Sequence, residues 1–233
     1  MLSRLLPSTL LPGPWSTLSF VVHEYQRGSL LHNLGATAER VLVAFAIAMV
    51  LGVVVGAAMG LSRTVDRVLE GWLLAGLTVP RIVLFVVAYL LLGLNDGAAI
   101  GALVITIVPT IVVQLREGTR ALDRKLLEMA HAFGRRRIEV WRRVILPQLM
   151  PYVIGTARAS LSLAWKMVVL AELLGRTDGV GYMISFYFQM FNMKGVLAYG
   201  VTMMVVLAVI DLVVLGTLER RAFRWRGTHP GER

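Results

Sequence analysis

The chain has 233 residues, of which 57% are hydrophobic, and its mean hydropathy is +0.71. This composition predicts an integral membrane protein with a single domain. The absence of cysteine excludes a disulfide framework and cysteine-ligated metal sites. The formal net charge of +10 would also suit nucleic acid binding, so the positions of the charges decide what it means.

Residues 1–35 are predicted to form a separate amino-terminal segment that lies on the membrane surface. Its early helix-breaking residues prevent a spanning helix of about 20 residues; they are Pro7, Pro12, Gly13 and Pro14. Ser16 is expected to cap a short helix with one apolar face. That face consists of Leu18, Val21, Val22 and Tyr25. No small-residue cleavage site follows a clean apolar run, so a signal peptide is not expected.

Five stretches are apolar and long enough to cross a membrane as helices. They are residues 41–61, 71–94, 98–115, 151–174 and 196–218. The first carries Gly52, Gly56 and Gly60 at intervals of four, which gives a smooth face for close helix packing. Pro80 and Arg81 interrupt the second. The predicted fold is an all-α transmembrane domain over residues 36–222, followed by a tail of residues 223–233.

Residues 116–150, between the third and fourth spans, are predicted to form a basic, amphipathic hairpin. Its apolar residues recur at helical spacing; they are Met129, Ala132, Phe133, Ile138, Trp141, Val144 and Ile145. Gly134 interrupts this pattern, which indicates a sharp turn or a close approach of the backbone. Pro147 is expected to open the next helix, where its missing N–H does no harm. A polar helix pair inside a membrane chain is most simply a docking surface for another protein.

The positive charges predict the orientation of the spans. Most of the 24 Lys and Arg residues lie near residues 63–67, 116–143 and 220–233, which fall on one side of a five-span protein. The positive-inside rule places that side in the cytoplasm and the amino terminus outside, and it explains the charge without nucleic acid. Arg4, Arg27 and Arg40 fit this topology less well. Between the last two spans, the aromatic residues 182–191 are expected at the membrane interface.

The hairpin resembles the EAA motif of inner-membrane permeases of binding-protein-dependent ABC importers. The family pattern is Glu-Ala-Ala, three residues, Gly, nine residues, Ile, one residue and Leu-Pro. The same spacing runs here from Glu128 to Pro147, with Met129 and Val144 in place of one alanine and the isoleucine. Residues 163–165, 171–175 and 179–182 are similar to the nitrate/sulfonate/taurine branch. Two departures are the lack of that branch's usual amino-terminal span and the charged Arg81 after Pro80.

The resemblance implies that the hairpin docks in a groove of a separate ATPase subunit and couples it to the spans. The implied interface consists of Glu128, Met129, Ala130, His131, Phe133, Gly134, Leu146 and Pro147. For Glu128 alone a solvated helix charge is the alternative, and the spacing to Gly134 and Pro147 favours coupling. Further implied partners are a second permease copy, an extracytoplasmic solute-binding protein and the lipid of a bacterial inner membrane. ATP and Mg would bind the ATPase subunit, because this chain lacks a phosphate loop and its four histidines lack metal-ligand spacing.

Four charged residues within the predicted spans are candidates for lining a transport pathway, since a charge at a helix centre costs roughly 2.5–3.5 kcal/mol. They are Arg158, Lys166, Glu172 and Asp211. Arg158 and Glu172 lie near helix ends and are expected to reach water, whereas Lys166 and Asp211 face a water-filled pathway or pair with each other. A cationic lining would suit a small anion such as a sulfonate, taurine or nitrate, and a buried ion pair is the equally weighted alternative. The same charges keep an ion-gradient-driven secondary transporter as a second hypothesis.

Overall fold

A computed structural model describes residues 12–210 and residue 212, and for Arg124 and His131 it describes only the backbone. Within these ranges the chain is helical and contains no β-strand. The helices are α1 (Pro14–Gln26), α2 (Ser29–Leu61), α3 (Arg63–Thr78), α4 (Arg81–Leu92), α5 (Asp96–Arg120), α6 (Arg124–Ala132), α7 (Arg137–Val140), α8 (Leu146–Gly175), α9 (Val180–Gln189) and α10 (Met193–Val209), with a π-helical turn (Trp141–Ile145) between α7 and α8.

Three helical runs of the described region are long and apolar enough to cross a membrane: α2, α5 and the continuous run Arg137–Gly175. Helices α3 and α4 are too short to pass the same test alone and pass it only together, and the chain bends by 98° between them. The interruption expected at Pro80 and Arg81 is therefore present as a sharp bend. Pro80 explains the break, since it lacks a backbone N–H and disfavours a helical conformation of the residue before it. The apolar helix α10 covers only part of the predicted fifth span, whose remainder lies outside the described residues.

The chain divides into two compact units. Among the described residues, the first takes in residues 12–47, 79–107 and 161–208, and the second takes in residues 48–78, 108–160, 209, 210 and 212. Helix α2 begins at Ser29, so residues 29–35, which were assigned to the amino-terminal segment, form the first turns of this long helix.

Helix α1 is attached to the first unit by its polar side. The carboxylate of Glu24 is buried and accepts a hydrogen bond from the Tyr199 hydroxyl at 3.0 Å. The Phe20 ring meets the Tyr187 ring edge-on, with centroids 5.4 Å apart. Burial raises the pKa of the Tyr187 phenol, and the Glu24 carboxylate acts in the same direction, so the ring stays neutral.

The apolar face of α1 points outward, which is the arrangement that an elbow helix on a membrane surface needs. The exposed residues of this face are Trp15, Leu18, Val22 and Tyr25. The expected cap at Ser16 is wrong, because the helix begins earlier, with Gly13 at its N-cap and Pro14 in its first turn. Ser16 instead donates its hydroxyl hydrogen to the Gly13 carbonyl at 2.7 Å.

In the second unit, the glycines of α2 allow close packing against α5, as the spacing predicted. A methyl group added at Gly56 would lie 2.8 Å from the carbonyl oxygen of Val112 and 2.7 Å from the Leu115 side chain. Gly52 and Gly60 are blocked in the same way by side chains of α5. The two backbones therefore approach more closely than any larger residue would permit.

We expect Gly56→Ala to lower the free energy of unfolding by about 1–3 kcal/mol, because the added methyl group overlaps a backbone oxygen. Gly35→Ala is the matched control in the same helix, since nothing lies within 4 Å of its added methyl group. The control should be neutral or stabilising by up to about 1 kcal/mol, because alanine favours the helix. Thermal unfolding of both variants in one detergent measures the difference. Equal midpoints for the two variants would contradict this packing.

Candidate functional site

The hairpin turns at Gly134, which has a φ of +64°. The N–H of Arg135 donates to the Ala130 carbonyl at 3.2 Å and the N–H of Phe133 to the Met129 carbonyl at 3.1 Å, which closes the end of α6. A left-handed glycine just beyond the last helical residue is the usual way to end a helix with this pattern. Nothing lies within 4 Å of a methyl group added at Gly134, so the glycine is needed for its conformation and not for a close contact.

A small apolar cluster holds the two arms of the hairpin together. It contains the buried residues Leu122, Ala130, Val140, Ile145 and Leu149. Ala130, predicted as an interface residue, thus packs mainly inside the hairpin. A small side chain is required where the two arms meet this closely.

The other predicted interface residues lie on the outer surface of the hairpin. The Phe133 side chain is 76% exposed and that of Met129 is 51% exposed, which is unusual for large apolar side chains of a helix pair. The remaining exposed members of the predicted set are Glu128, Gly134, Leu146 and Pro147. The side chain of His131 lies outside the description. The structure therefore places an apolar, protruding edge at the turn.

Two grooves flank this edge and share an apolar floor. Their volumes are about 310 Å³ and 410 Å³, and both are lined by Met129, Ala130, Arg143 and Val144. Arg143 is exposed and also lines a third cavity of about 500 Å³ beside Ile138. Each groove has an apolar floor and a guanidinium at its rim. It therefore suits a partner that presents an apolar side chain with a carboxylate next to it.

The hairpin is continuous with α8, so the boundary expected at residues 150 and 151 falls within a helical run. Helical structure runs unbroken from Arg137 to Gly175, and Pro147 follows a π-helical turn and does not open a separate helix. Proline cannot donate to the carbonyl four residues earlier and its ring crowds that carbonyl, and a widened turn relieves both problems. Gln148 donates to the Val144 carbonyl at 3.1 Å and accepts from the Asp123 N–H at 2.9 Å. The start of α6 is therefore tied directly to α8.

The first unit contains a buried ion cluster around Arg40. The Arg40 guanidinium donates to Glu172 at 2.7 Å, to Asp96 at 2.6 Å and to Asp178, while its own side chain is only 5% exposed. The Glu172 carboxylate has no exposed surface and also accepts from the Thr37 hydroxyl at 2.8 Å and the Gly181 N–H at 2.8 Å. Arginine suits this position because its planar guanidinium has several N–H groups, which can donate to several carboxylates at once.

Glycines bring the loop after α8 close to the cluster. Gly179 has a φ of +104°, and a methyl group there would overlap the Glu172 carboxylate. Its N–H donates to the Asn33 side chain at 2.8 Å, and the next N–H, that of Val180, donates to the Thr37 hydroxyl at 2.9 Å. Arg176 adds an ion pair to Asp96 at 3.0 Å. The loop is therefore fixed by both charge and backbone hydrogen bonds.

Glu172 thus corresponds to the buried ion-pair alternative, and the expectation that it reaches water near its helix end is wrong. Arg40 was not predicted as the partner of Glu172. Its positive charge was instead an exception to the topology predicted from the positive-inside rule. One signal was present: Asn33, Thr37 and Arg40 lie at intervals of four and three, which makes a polar stripe along an otherwise apolar helix.

The other candidate charges have different environments. The Lys166 side chain is exposed on α8, and Arg158 is half-buried. Asp211 lies outside the described residues, so its suggested pairing with Lys166 stays a prediction. Lys166 therefore presents a cation on the surface of an apolar helical run.

Comparison with known proteins gives a family match over most of the chain. Residues 48–223 match the family described as "Binding-protein-dependent transport system inner membrane component". The "Putative aliphatic sulfonates transport permease protein SsuC" of Bacillus subtilis (strain 168) is 32% identical over 121 residues, which is 52% of this chain and 44% of the relative. The "Taurine transport system permease protein TauC" of Escherichia coli (strain K12) is 29% identical over 110 residues, which is 47% of this chain and 40% of the relative. The matches therefore span less than half the length of these curated relatives.

A solved structure shares the fold at low sequence identity. A chain of the MetNI methionine ABC transporter, solved in inward-facing conformations, superimposes with a TM-score of 0.76 over 86% of this chain and 99% of that chain. The sequence identity is 19%, so the comparison establishes the arrangement of helices and nothing further.

Removal of the Arg40 guanidinium should destabilise the first unit, because it leaves the Glu172 carboxylate buried without its charged partner. We expect Arg40→Met to cost about 3–5 kcal/mol of unfolding free energy. Arg40→Met combined with Glu172→Gln should recover a large part of the loss, because no unpaired charge remains. Thermal unfolding in detergent measures both variants.

Arg27→Met removes an exposed arginine of the same unit and should change stability by less than about 0.5 kcal/mol. An Arg40→Met midpoint equal to that control would show that the cluster contributes nothing.

Proposed function

Because this chain belongs to the family of binding-protein-dependent transport system inner membrane components, a multi-pass membrane protein family, we propose that it is the permease subunit of an ATP-driven ABC importer. The observation that carries the proposal is the hairpin, whose apolar edge at Met129 and Phe133 is exposed while its inner face is packed. Two copies would enclose the pathway in a bacterial cytoplasmic membrane, and an extracytoplasmic protein would deliver the solute. Each copy has about five spans, with the amino terminus outside and the hairpin in the cytoplasm.

The hairpin is the docking site for an ATPase subunit. Phe133 and Met129 insert into a groove of that subunit, as an amphipathic helix does with its apolar anchors. In return, the two grooves beside Arg143 accept apolar side chains of the ATPase, and Arg143 pairs with a carboxylate there. Burial of a large aromatic residue at the centre of such an interface supplies much of the binding energy.

Movement of the hairpin passes to the membrane through α8. The helical run from Arg137 to Gly175 is continuous, and Gln148 ties the start of α6 to it. ATP binding closes the ATPase pair, draws the two hairpins together and opens the pathway outward, and hydrolysis reverses this. ATP and Mg are bound by the ATPase subunits, and this chain supplies no catalytic group.

The transported solute is a small anion such as a sulfonate, taurine or nitrate. Lys166 supports this proposal, because it is an exposed cation on an apolar helix and is costly there without a function. The relatives named for sulfonate and taurine transport agree with it. A secondary transporter is the second hypothesis, and it would need Glu172 in an ion relay. The ion pair of Glu172 with Arg40 disfavours that role.

Truncation of Phe133 should weaken ATPase binding without unfolding the chain. We expect Phe133→Ala to lower the affinity of the ATPase subunit by about 30-fold, which corresponds to the roughly 2 kcal/mol of an interface hot spot. Phe188→Ala is the matched control, since Phe188 is 71% exposed but lies in α9 of the first unit. Titration of the ATPase against each variant in nanodiscs measures the affinity. An unchanged affinity for Phe133→Ala would rule out docking at the turn.

Neutralisation of Lys166 should impair uptake of an anion specifically. We expect Lys166→Gln to raise the KM for sulfonate uptake at least about tenfold, since one lost charge interaction is worth about 1.4 kcal/mol. Lys194→Gln serves as the control, because Lys194 is exposed outside the predicted spans. Uptake of a radiolabelled sulfonate by proteoliposomes gives both values. If the two variants transport equally well, Lys166 does not contact the solute.

A further inference from the structure

The turn between α9 and α10 contains a strained residue. Phe191 has a φ of +53°, whereas the other described residues with positive φ are glycines: Gly28, Gly93, Gly134 and Gly179. A side chain in this left-handed conformation costs about 1–2 kcal/mol. The turn closes α9 through hydrogen bonds from the Asn192 N–H to the Tyr187 carbonyl at 2.9 Å and from the Phe191 N–H to the Phe188 carbonyl at 3.0 Å. Glycine is the usual residue at this position, so Phe191 adopts a backbone conformation that a phenylalanine disfavours.

The strained residue forms the tip of an exposed apolar surface. The Phe191 side chain is 95% exposed, that of Phe188 is 71% exposed and that of Met190 is 62% exposed. We call these three residues the Phe191 tip. In contact with water such a cluster would be unfavourable, and a large exposed apolar patch normally marks a binding surface.

Two polar side chains beside the Phe191 tip make hydrogen bonds within the turn. Gln189 donates to the Ser185 hydroxyl at 3.1 Å, and the Asn192 side chain accepts from the Gly195 N–H at 3.2 Å. A protein partner would normally find hydrogen-bonding groups at the rim of an apolar patch. Lys194 is the exposed charged group of this segment. The surface thus offers apolar side chains and one cation.

The inner side of the turn is fixed, so the Phe191 tip is held rigidly outward. The Tyr187 ring packs against the Phe20 ring at 5.4 Å and against the Tyr199 ring at 5.9 Å. Gly195 has room for no side chain, because an added methyl group would overlap the Tyr187 ring. One aromatic residue of the segment therefore anchors it to the first unit, while Phe188 and Phe191 face away.

We propose that the Phe191 tip is a bilayer anchor, with its three apolar side chains inserted at the boundary between acyl chains and headgroups and Lys194 directed to lipid phosphate. Aromatic residues and lysines at the ends of spanning helices are typical of this boundary. The apolar helix α10, which forms part of the predicted fifth span, begins at Met193, so the tip adjoins that predicted span. The proposal requires only that the chain lies in a membrane and does not depend on ATP-driven transport.

The natural absence of cysteine makes a direct test possible. Single-cysteine variants Phe191→Cys and Thr177→Cys carry a nitroxide label, and the protein is placed in nanodiscs of phosphatidylethanolamine and phosphatidylglycerol. Thr177 is exposed in the loop before α9 and serves as the aqueous control. We expect the ratio of oxygen to nickel-chelate accessibility to be several-fold higher at position 191 than at position 177.

Two outcomes would overturn the proposal. A nickel-dominated accessibility at position 191 would place the tip in water, and low accessibility to both reagents would mean that protein covers it. A second arm tests Phe191 itself with the label at position 188. Phe191→Gly keeps the turn without strain, so the chain stays folded, and the lipid-phase accessibility at position 188 should fall several-fold. An unchanged value in this arm would show that Phe191 does not hold the turn in the bilayer.

Discussion

The buried contact between Arg40 and Glu172 is the interaction on which the first unit depends. A fully buried carboxylate is tolerated only with a charged partner and further hydrogen bonds, and Glu172 has both. The same guanidinium also binds Asp96 and Asp178, so α2, the start of α5, the end of α8 and the loop before α9 meet at one cation. Such an arrangement specifies one geometry, because the buried Glu172 carboxylate needs its charged partner at this position.

The hairpin of the second unit is built on the opposite principle. Its buried residues are small or aliphatic and serve only to hold two arms together, whereas the large apolar side chain of Phe133 is exposed. A large apolar side chain that is exposed in this way normally belongs to a surface that binds another molecule. The helix continues from this surface through the π-helical turn into α8, and Gln148 ties the start of α6 to α8, which suits an element that transmits displacement.

The sequence predicted the hairpin well, because its information is local. Helical periodicity and one glycine define α6 and its turn, and Gly134 has the positive φ that such an end requires. The glycine spacing of α2 also predicted a close helix contact. The ion cluster was missed because Arg40 and Glu172 are 132 residues apart, and a single sequence does not show which distant charges meet. The continuity through Pro147 and the strained Phe191 were missed because each overrides a local preference of its residue.

The proposed function depends most on an ATPase subunit that drives this chain through its hairpin. Solute uptake by proteoliposomes that contain the chain, its ATPase and the solute-binding protein tests this claim directly. The account predicts uptake that requires ATP, stops when the ATPase subunit is omitted and continues when an ionophore dissipates ion gradients. Uptake that persists without ATP and disappears with the ionophore would contradict it and would identify a secondary transporter.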